Sequence, residues 1–268
     1  MYPIVAITGA TTTAKTDLAI CVANQTGATV LPLDQLHRYR YLAEGTGLDI
    51  EELRQVRHFG YQMLSPWEVS GPDKYVLWLR NALGQIAATG PAVIEGGCTS
   101  YLAELVSSER DRVLGEIRFV ALERSPSEAT NKERIEERFS RHKVARVISE
   151  VEALESHGFL CEAGLPLFRN CEQVWTHPEH EDRRLAWALR ISARVYCPAY
   201  LALKGRITLD SARARIVRNV LDIQEYQSDR IGRLLSGKAI FHRHQVPALA
   251  QAVIGWLSGR TWTLEGGG

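Results

Sequence analysis

The feature that most constrains this chain is a candidate phosphate-binding loop near its start. An apolar run over residues 3–8 is followed directly by Gly9-Ala10-Thr11-Thr12-Thr13-Ala14-Lys15-Thr16. This segment fits the pattern G-x-x-x-x-G-K-[ST] except at the second glycine, where Ala14 stands. In that pattern, loop amides and the N-terminus of the next helix surround phosphate oxygens. The sequence therefore predicts a strand, a phosphate loop and a helix in succession; the alternative is a polar turn with a chance Lys-Thr pair.

The loop residues predict specific contacts with a phosphorylated ligand. Lys15 would reach the outer phosphate, and the hydroxyl of Thr16 would ligate Mg²⁺. The other predicted contacts to a diphosphate come from Gly9, Thr12, Thr13 and Ala14. We expect Ala14→Gly to tighten ligand binding or leave it unchanged, with a loss of stability of ~0.5–1 kcal/mol because glycine is freer in the unfolded chain. The pattern predicts binding of phosphate and does not by itself predict its transfer.

Composition narrows the class of protein. The 268 residues suffice for one large α/β domain, or for a nucleotide-binding core with a helical appendage. A formal net charge of +1 gives no overall field that attracts nucleic acids or anionic membranes. The five cysteines are scattered without a C-x-x-C pair, which fits a reducing compartment. No apolar run approaches the ~20 residues that span a bilayer, so we expect a cytoplasmic protein with no membrane partner.

Alternating strand and helix patterns in the first half predict a parallel α/β sheet. The predicted strands cover residues 3–8, 29–33, 92–95 and 117–122. The predicted helices run from the phosphate loop to residue 24 and over residues 50–57 and 75–88. These elements indicate a sheet like that of P-loop nucleoside triphosphate hydrolases, flanked by helices and built with right-handed crossovers.

After Pro126 the sequence becomes charged and largely helical, with predicted helices over residues 144–154, 182–195 and 209–235. We therefore divide the chain into an α/β core (1–125), a helical lid and acceptor-side region packing on it (126–262) and a tail that could derive from a cloning vector (263–268). The basic run over residues 134–146 is interpreted as a solvated helix face. One arginine of that run is expected to bind a diphosphate, because guanidinium groups donate bidentately to phosphate oxygens.

Polar residues follow the second and third predicted strands, at the edge where open α/β sheets bind ligands. Asp34 follows the second strand, where a carboxylate can hold Mg²⁺ through water or accept a proton from a nucleophile. The alternative for Asp34 is a helix cap or a turn. The third strand leads into Glu95-Gly96-Gly97-Cys98-Thr99-Ser100. Its glycines allow close approach of a ligand or loop, its two hydroxyls can bond a ligand or cap a helix, and its cysteine is predicted to be a packing residue.

The succession of these motifs resembles the isopentenyltransferase family. Within residues 9–100 the chain carries G-x-T-x-x-x-K-T, then L-x-L-D, then Leu42-Ala43-Glu44-Gly45-Thr46-Gly47, then I-E-G-G-x-T-S. The family includes the adenylate isopentenyltransferases of cytokinin biosynthesis and the tRNA dimethylallyltransferases. The resemblance implies a P-loop fold that binds dimethylallyl diphosphate and transfers its prenyl group to the N6 amine of adenine. Two departures are Ala10, where the family usually has proline, and Ala14.

The resemblance also implies a role for individual residues. Lys15 and Thr16 match positions that hold diphosphate and Mg²⁺. Thr11 matches a threonine whose hydroxyl lies beside the reacting amine, and Asp34 matches the general base. The remaining matches are to the donor pocket (Thr46 and Thr99), to the diphosphate lid (Arg138) and to the acceptor (Asp182 and Gln35).

The predicted function is transfer of a dimethylallyl group from dimethylallyl diphosphate to AMP, ADP or ATP, with Mg²⁺ as cofactor. The short chain favours the adenylate enzymes, and the near-zero net charge counts against tRNA. Three alternatives remain: the same donor chemistry on tRNA or another small amine, a P-loop small-molecule kinase, and a non-catalytic module that regulates a partner. The acceptor side is least defined, because segments near residues 220 and 242 compete for the contacts to the end of the prenyl chain.

Overall fold

A computed structural model describes the protein over residues 2–86, 89–110, 117–165, 185–237, 240–242 and 246–259. Its centre is a five-stranded parallel sheet in the order β2-β3-β1-β4-β5. The strands are β1 (Ile4–Gly9), β2 (Thr29–Pro32), β3 (Ala92–Gly96), β4 (Ile117–Glu123) and β5 (Ile240–His242). The first four lie within one residue of their predicted bounds, so the predicted parallel α/β sheet is confirmed.

Helices flank this sheet and make up most of the second half of the chain. They are α1 (Lys15–Thr26), α2 (Ala43–Thr46), α3 (Ile50–Leu53), α4 (Pro72–Ile86), α5 (Thr99–Arg110), α6 (Glu128–Arg138), α7 (Arg141–Ser156), α8 (Trp187–Ile191), α9 (Ala193–Leu203), α10 (Leu209–Leu234) and α11 (Val246–Leu257). Every residue of β1 is buried, as expected for a central parallel strand covered on both faces.

The helix predicted over residues 50–57 is shorter in the structure. It begins after Asp49, whose side chain accepts hydrogen bonds from the amides of Glu51 and Glu52, and it ends at Leu53. The chain then leaves the helix because its backbone pairs with the edge of β2. The carbonyl of Arg57 accepts from the amide of Val30 at 2.8 Å, and the amide of Phe59 donates to the carbonyl of Val30 at 3.0 Å.

The helix predicted over residues 182–195 is also wrong in its bounds. Residues 182–184 lie outside the described part of the chain, and Leu185 forms an isolated antiparallel bridge with Leu160. Two helices follow, α8 and α9, separated at Ser192. Helix α9 contains Pro198, which has no amide to bond the carbonyl of Arg194. The side chain of Asn219 donates to that carbonyl at 2.7 Å, so tertiary contact replaces the missing helical bond.

The last described elements return to the sheet, which the sequence patterns did not predict. Strand β5 pairs in parallel with β4, from Ala121 opposite Ile240 to Glu123 opposite His242. Helix α11 then packs on α1, where Leu249 and Val253 join Leu18 and Val22 in one buried cluster. A separate hydrophobic cluster lies among α6, α7, α9 and α10, as expected for a largely helical second part. In the part of the chain that the structure describes, no helix is long and apolar enough to cross a membrane.

Candidate functional site

The phosphate loop joins β1 to α1 through two non-glycine residues with positive φ. Thr12 has φ 66°, and Ala14, immediately before α1, has φ 63° and ψ 27°. This left-handed conformation disfavours residues with a Cβ atom and suits glycine. The structure therefore supports the opposite prediction to the expected loss of stability on Ala14→Gly, because the local backbone already has the geometry of the missing glycine. At Gly9 a Cβ atom would lie 2.7 Å from the carbonyl oxygen of Leu122, so the loop starts where only glycine fits.

Lys15 lies partly buried beside the loop. Its Nζ donates to the carbonyl of Ala10 at 3.4 Å, and the hydroxyl of Thr13 donates to the same carbonyl at 2.9 Å. Burial lowers the pKa of Lys15, and the negative charges of Glu95 and Asp34 oppose that shift. The two carboxylates favour the charged form of the ammonium group, and its one long hydrogen bond to the Ala10 carbonyl leaves donors that can bind an anion.

A buried cluster centred on Glu95 supports the loop from β3. The Glu95 carboxylate has no exposed surface and accepts hydrogen bonds from the hydroxyls of Thr16 at 3.2 Å and Tyr61 at 3.0 Å. His37 Nδ1 lies 3.8 Å from the same carboxylate. Burial alone would raise the pKa of Glu95, but His37 and Lys15 outweigh it and the net shift is downward. Glu95 is therefore a buried anion that orients Thr16.

Asp34 lies at the carboxyl end of β2, beside this cluster. Its Oδ1 accepts a hydrogen bond from the amide of Leu36 at 3.0 Å, a local turn contact at the start of the short 3-10 helix Leu36–Arg38. Gly96, with φ 151°, brings the end of β3 against it, since a Cβ atom there would lie 2.5 Å from the amide nitrogen of Asp34. The next residue, Gln35, is buried and donates to the carbonyl of Ser70.

Arg138, at the end of α6, reaches the same region from the helical part. Its Nη2 donates to the carbonyl of Thr46 at 2.5 Å, and its guanidinium group lies against Gly47. Burial lowers the pKa of Arg138, and the charge of Asp34 opposes that shift. The hydroxyl of Thr46 donates within its own turn, to the carbonyls of Leu42 and Ala43. Arg138 thus links the end of α6 to the segment around α2.

The remaining predicted site residues have different positions. Thr11 in the phosphate loop contacts α10 through Gln224 and Gln227. Thr99 is buried and begins α5, directly after the carboxyl end of β3. Asp182 lies outside the described residues.

Most of the residues that form this site lie within a segment that matches a known protein family. The model of the family described as isopentenyl transferase matches residues 2–159, more than half of the chain. The chain belongs to the isopentenyl transferase family. This match covers the phosphate loop, Asp34, the Glu95 segment and Arg138, all of the site described above except the contacts from α10.

Individual relatives match a shorter segment. A tRNA dimethylallyltransferase from Solibacter usitatus is 30% identical over 106 residues, which are 39% of this chain and 34% of that protein. An adenylate dimethylallyltransferase from Pantoea agglomerans pv. gypsophilae is 31% identical over 106 residues, which are 38% of this chain and 44% of that protein. The matches thus span less than half the length of these curated relatives.

Solved structures share the fold over nearly the whole chain. A tRNA isopentenylpyrophosphate transferase from Bacillus halodurans superposes with a TM-score of 0.67 and 16% identity, covering 97% of this chain and 98% of that one. The corresponding transferase from Staphylococcus epidermidis gives a TM-score of 0.71 at 14% identity, covering 97% of this chain and 100% of that one. At these identities the likeness establishes the fold of the isopentenyl transferases, including the helical second part.

The residues that sequence reasoning missed are those that support the predicted ones. His37, Tyr61, Gln224 and Gln227 carry no motif of their own, because their partners are distant in sequence. The sequence does carry a signal for Glu95. It is a carboxylate inside an otherwise apolar strand, close to the edge where parallel sheets bind ligands.

The oxygen-rich surroundings of Thr16 fit the Mg²⁺ ion that the family implies. The Thr16 hydroxyl gives its proton to Glu95, which leaves its oxygen lone pairs available to a cation. Within the described residues no group of three or more His, Cys, Asp or Glu side chains forms a metal site.

Proposed function

We propose that this isopentenyl transferase moves a dimethylallyl group from dimethylallyl diphosphate to the N6 amine of an adenine nucleotide (AMP, ADP or ATP) and releases diphosphate. The observation that carries the proposal is the meeting of cations and a carboxylate at one sheet edge. Lys15 and Arg138 are both partly buried, and the charge of Asp34 acts on both. A cationic cradle beside a carboxylate is what transfer from a diphosphate to an amine requires.

On the donor side, the diphosphate leaving group gains negative charge as the bond from the allylic carbon to oxygen breaks. The Lys15 ammonium, the loop amides and the Arg138 guanidinium are fixed in place before the reaction, so they stabilise that charge without reorganising. Thr16 would hold Mg²⁺, which when bound neutralises further charge on the diphosphate.

On the acceptor side, the exocyclic amine of adenine is a weak nucleophile because its lone pair is delocalised into the ring. Asp34 would accept a proton from that amine as the new carbon–nitrogen bond forms. The allylic carbon develops cationic character, so the site must exclude water and admit only the positioned amine.

A second candidate acceptor is the adenine of a tRNA. It is favoured by the names of the relatives, since the Solibacter protein and the solved bacterial structures are described as tRNA enzymes. The Pantoea relative, described as an adenylate enzyme, supports the nucleotide. Both candidates use the same donor chemistry and differ only in what carries the adenine.

The test is incubation with labelled dimethylallyl diphosphate, Mg²⁺ and separate acceptors: AMP, ADP, ATP, tRNA and simple amines. We expect release of diphosphate and a nucleotide heavier by one prenyl group. If the label appears on tRNA and on none of the nucleotides, the acceptor is the second candidate. Steady conversion of ATP to ADP without any prenylated product would instead identify a kinase.

The role of Asp34 gives a sharper prediction. Asp34→Asn keeps the shape of the side chain and an oxygen that can accept from the Leu36 amide, but it removes the base. Turnover should therefore fall by about 10²–10⁴-fold while donor binding is retained. Lys15→Ala should weaken donor binding as well. Exposed Asp222 on α10 provides the matched control, Asp222→Asn. Turnover of Asp34→Asn close to that of the wild type would contradict the assignment of the base.

A further inference from the structure

Two glutamines of α10 bind the phosphate loop from the helical part of the molecule. Gln224 and Gln227 lie three residues apart, so both side chains project from one face of the helix. Gln224 is buried, and its Nε2 donates to the carbonyl of Thr11 and to the hydroxyl of Thr12, each at 2.9 Å. Gln227 Oε1 accepts from the amide of Thr11 at 3.0 Å and from its hydroxyl at 3.3 Å.

The same glutamine also ties the phosphate loop to the loop after β3. Gln227 Nε2 donates to the carbonyl of Gly97 at 3.1 Å. Gly97 in turn packs against the start of the phosphate loop, because a Cβ atom there would lie 2.7 Å from the carbonyl oxygen of Gly9. Gln227 therefore bridges the two loops that follow β1 and β3.

These contacts fix which way each amide faces. If the Gln227 amide were reversed, its NH₂ group would face the N–H of Thr11, a donor against a donor. Its oxygen would face the carbonyl of Gly97, an acceptor against an acceptor. Gln224 is fixed in the same way by the Thr11 carbonyl. Its own Oε1 is buried with no hydrogen-bond partner among the described residues, so contacts on the loop side alone set its orientation.

The orientation of Gln227 determines the polarity of Thr11. An amide oxygen carries no proton, so the Thr11 hydroxyl must donate its single proton to Gln227. The Thr11 oxygen then has only lone pairs to offer to any other group. Toward a bound molecule it is a hydrogen-bond acceptor and not a donor.

We propose that Gln224 and Gln227 are positioning residues that hold the phosphate loop and keep the Thr11 hydroxyl as an acceptor, so that the site selects an acceptor substrate with an N–H group over one with a carbonyl oxygen. The selectivity part of this proposal rests on the proposed function, because it places the reacting amine beside Thr11. The loop-holding part does not, since it depends only on contacts within the chain.

Loop holding is tested by hydrogen–deuterium exchange on the peptide that covers residues 9–16. Gln227→Met keeps the length and helix propensity of the side chain but removes its amide. The backbone amide of Thr11 then loses its hydrogen bond to Gln227, which should speed its exchange by about threefold to tenfold. Glu225→Met, at an exposed position between the two glutamines, is the matched control and should leave exchange unchanged. Equal exchange in Gln227→Met and the wild type would overturn this part.

Polarity is tested with AMP and IMP, which differ in carrying a 6-amino or a 6-oxo group. The wild type should bind AMP more tightly than IMP. In Gln227→Met the Thr11 hydroxyl is free to turn and donate, so the preference for AMP should fall by about threefold to tenfold. Gln227→Glu keeps an oxygen that accepts from Thr11 and should retain the preference, which separates polarity from general damage to the loop.

The outcomes of the two experiments separate the proposals. An AMP preference that is unchanged in Gln227→Met, or one lost equally in Gln227→Glu, would refute the polarity assignment. If the wild type binds neither AMP nor IMP, the assignment of a nucleotide as the acceptor is wrong, and the proposed selectivity at Thr11 is wrong as well. The exchange measurement still decides whether α10 holds the loop.

Discussion

Ala14 shows how the phosphate loop keeps its shape without its second glycine. Both Ala14 and Thr12 adopt left-handed conformations, which cost an L-residue roughly 1–2 kcal/mol each. The surrounding contacts compensate for this: the amide of Leu18 bonds the Ala14 carbonyl at 3.1 Å, and Gln224 bonds Thr12. Ala14 therefore introduces local backbone strain, while the rest of the loop keeps its hydrogen bonds.

Ala14→Gly should stabilise the protein by up to about 1 kcal/mol, because glycine adopts positive φ without a steric penalty. Urea unfolding of the variant and the wild type measures the difference. The matched control is Ala145→Gly at an exposed, right-handed position inside α7, which should lose about 1 kcal/mol. A loss of stability at both positions would show that the left-handed backbone is not what governs residue 14.

The charge on His37 makes stability depend on pH. Burial lowers the pKa of His37, but the carboxylates of Asp34 and Glu95 outweigh it and the net shift is upward from 6.5. The folded protein therefore keeps this proton at a pH where the unfolded chain has released it. The resulting stabilisation is complete below pH 6.5 and is lost as pH rises through the folded-state pKa.

We expect the Tm of the wild type to fall as the pH rises above 6.5 and the fall to be smaller in His37→Gln, which has no proton to lose. His142→Gln, at an exposed position, should leave the pH profile as it is in the wild type. Identical profiles for His37→Gln and the wild type would show that His37 does not carry this dependence.

At the scale of elements, the four-residue helix α2 depends on its neighbours. So short a helix has little stability of its own. The carboxylate of Glu150 on α7 accepts from the amides of Glu44 and Gly45, both at 3.1 Å, and from the hydroxyl of Tyr196 on α9 at 2.6 Å. Two helices of the second part thus hold the segment that Arg138 contacts.

Gly45 leaves no room for a side chain in this arrangement. A Cβ atom there would overlap the ring of Tyr196, so Gly45→Ala should destabilise the protein by about 1–3 kcal/mol through overpacking. At Gly84, inside α4, a Cβ atom would meet nothing within 4 Å, and Gly84→Ala should instead stabilise by about 0.4–1 kcal/mol. Thermal unfolding of both variants provides the comparison, and an equal effect of the two would contradict the packing argument.

At the scale of the whole molecule, the chain crosses twice between its α/β core and its helical part. Helix α10 packs among the helices and also reaches the phosphate loop. Beyond it, β5 and α11 return to the sheet. The division of the chain at residue 125 into core and lid stays a prediction, although the return of β5 and α11 places later residues on the core.

A substitution at Leu249 tests how much the packing of α11 on the core contributes to the free energy of unfolding. The side chain is fully buried against the cluster that includes Leu18 and Val22, so Leu249→Ala should lower the free energy of unfolding by about 2–5 kcal/mol. Leu77→Ala, at an exposed position on α4, should change it by less than about 0.5 kcal/mol. A small effect at Leu249 would mean that α11 is not an integral part of the core.

The sequence by itself determined the parts of this protein that depend on residues close together in the chain. Apolar runs defined β1 to β4, because a buried parallel strand is hydrophobic on both faces. The phosphate loop and Asp34 followed from their places directly after strands, and the motifs between residues 9 and 100 indicated the family. Their roles in catalysis stay predictions.

Only the tertiary structure decided the features that join distant residues. The short β5 has too few residues for a recognisable pattern, and the early end of α3 comes from backbone pairing with β2. The buried set of Glu95, His37 and Tyr61, and the contacts of Gln224 and Gln227 with Thr11, bring together groups that no local spacing relates. A hydrogen bond or ion pair depends on distance in space. The packing of α10 against the loop after β1 brings the two glutamines to Thr11, and the pairing of β2 with β3 brings the segment after β2 to Glu95.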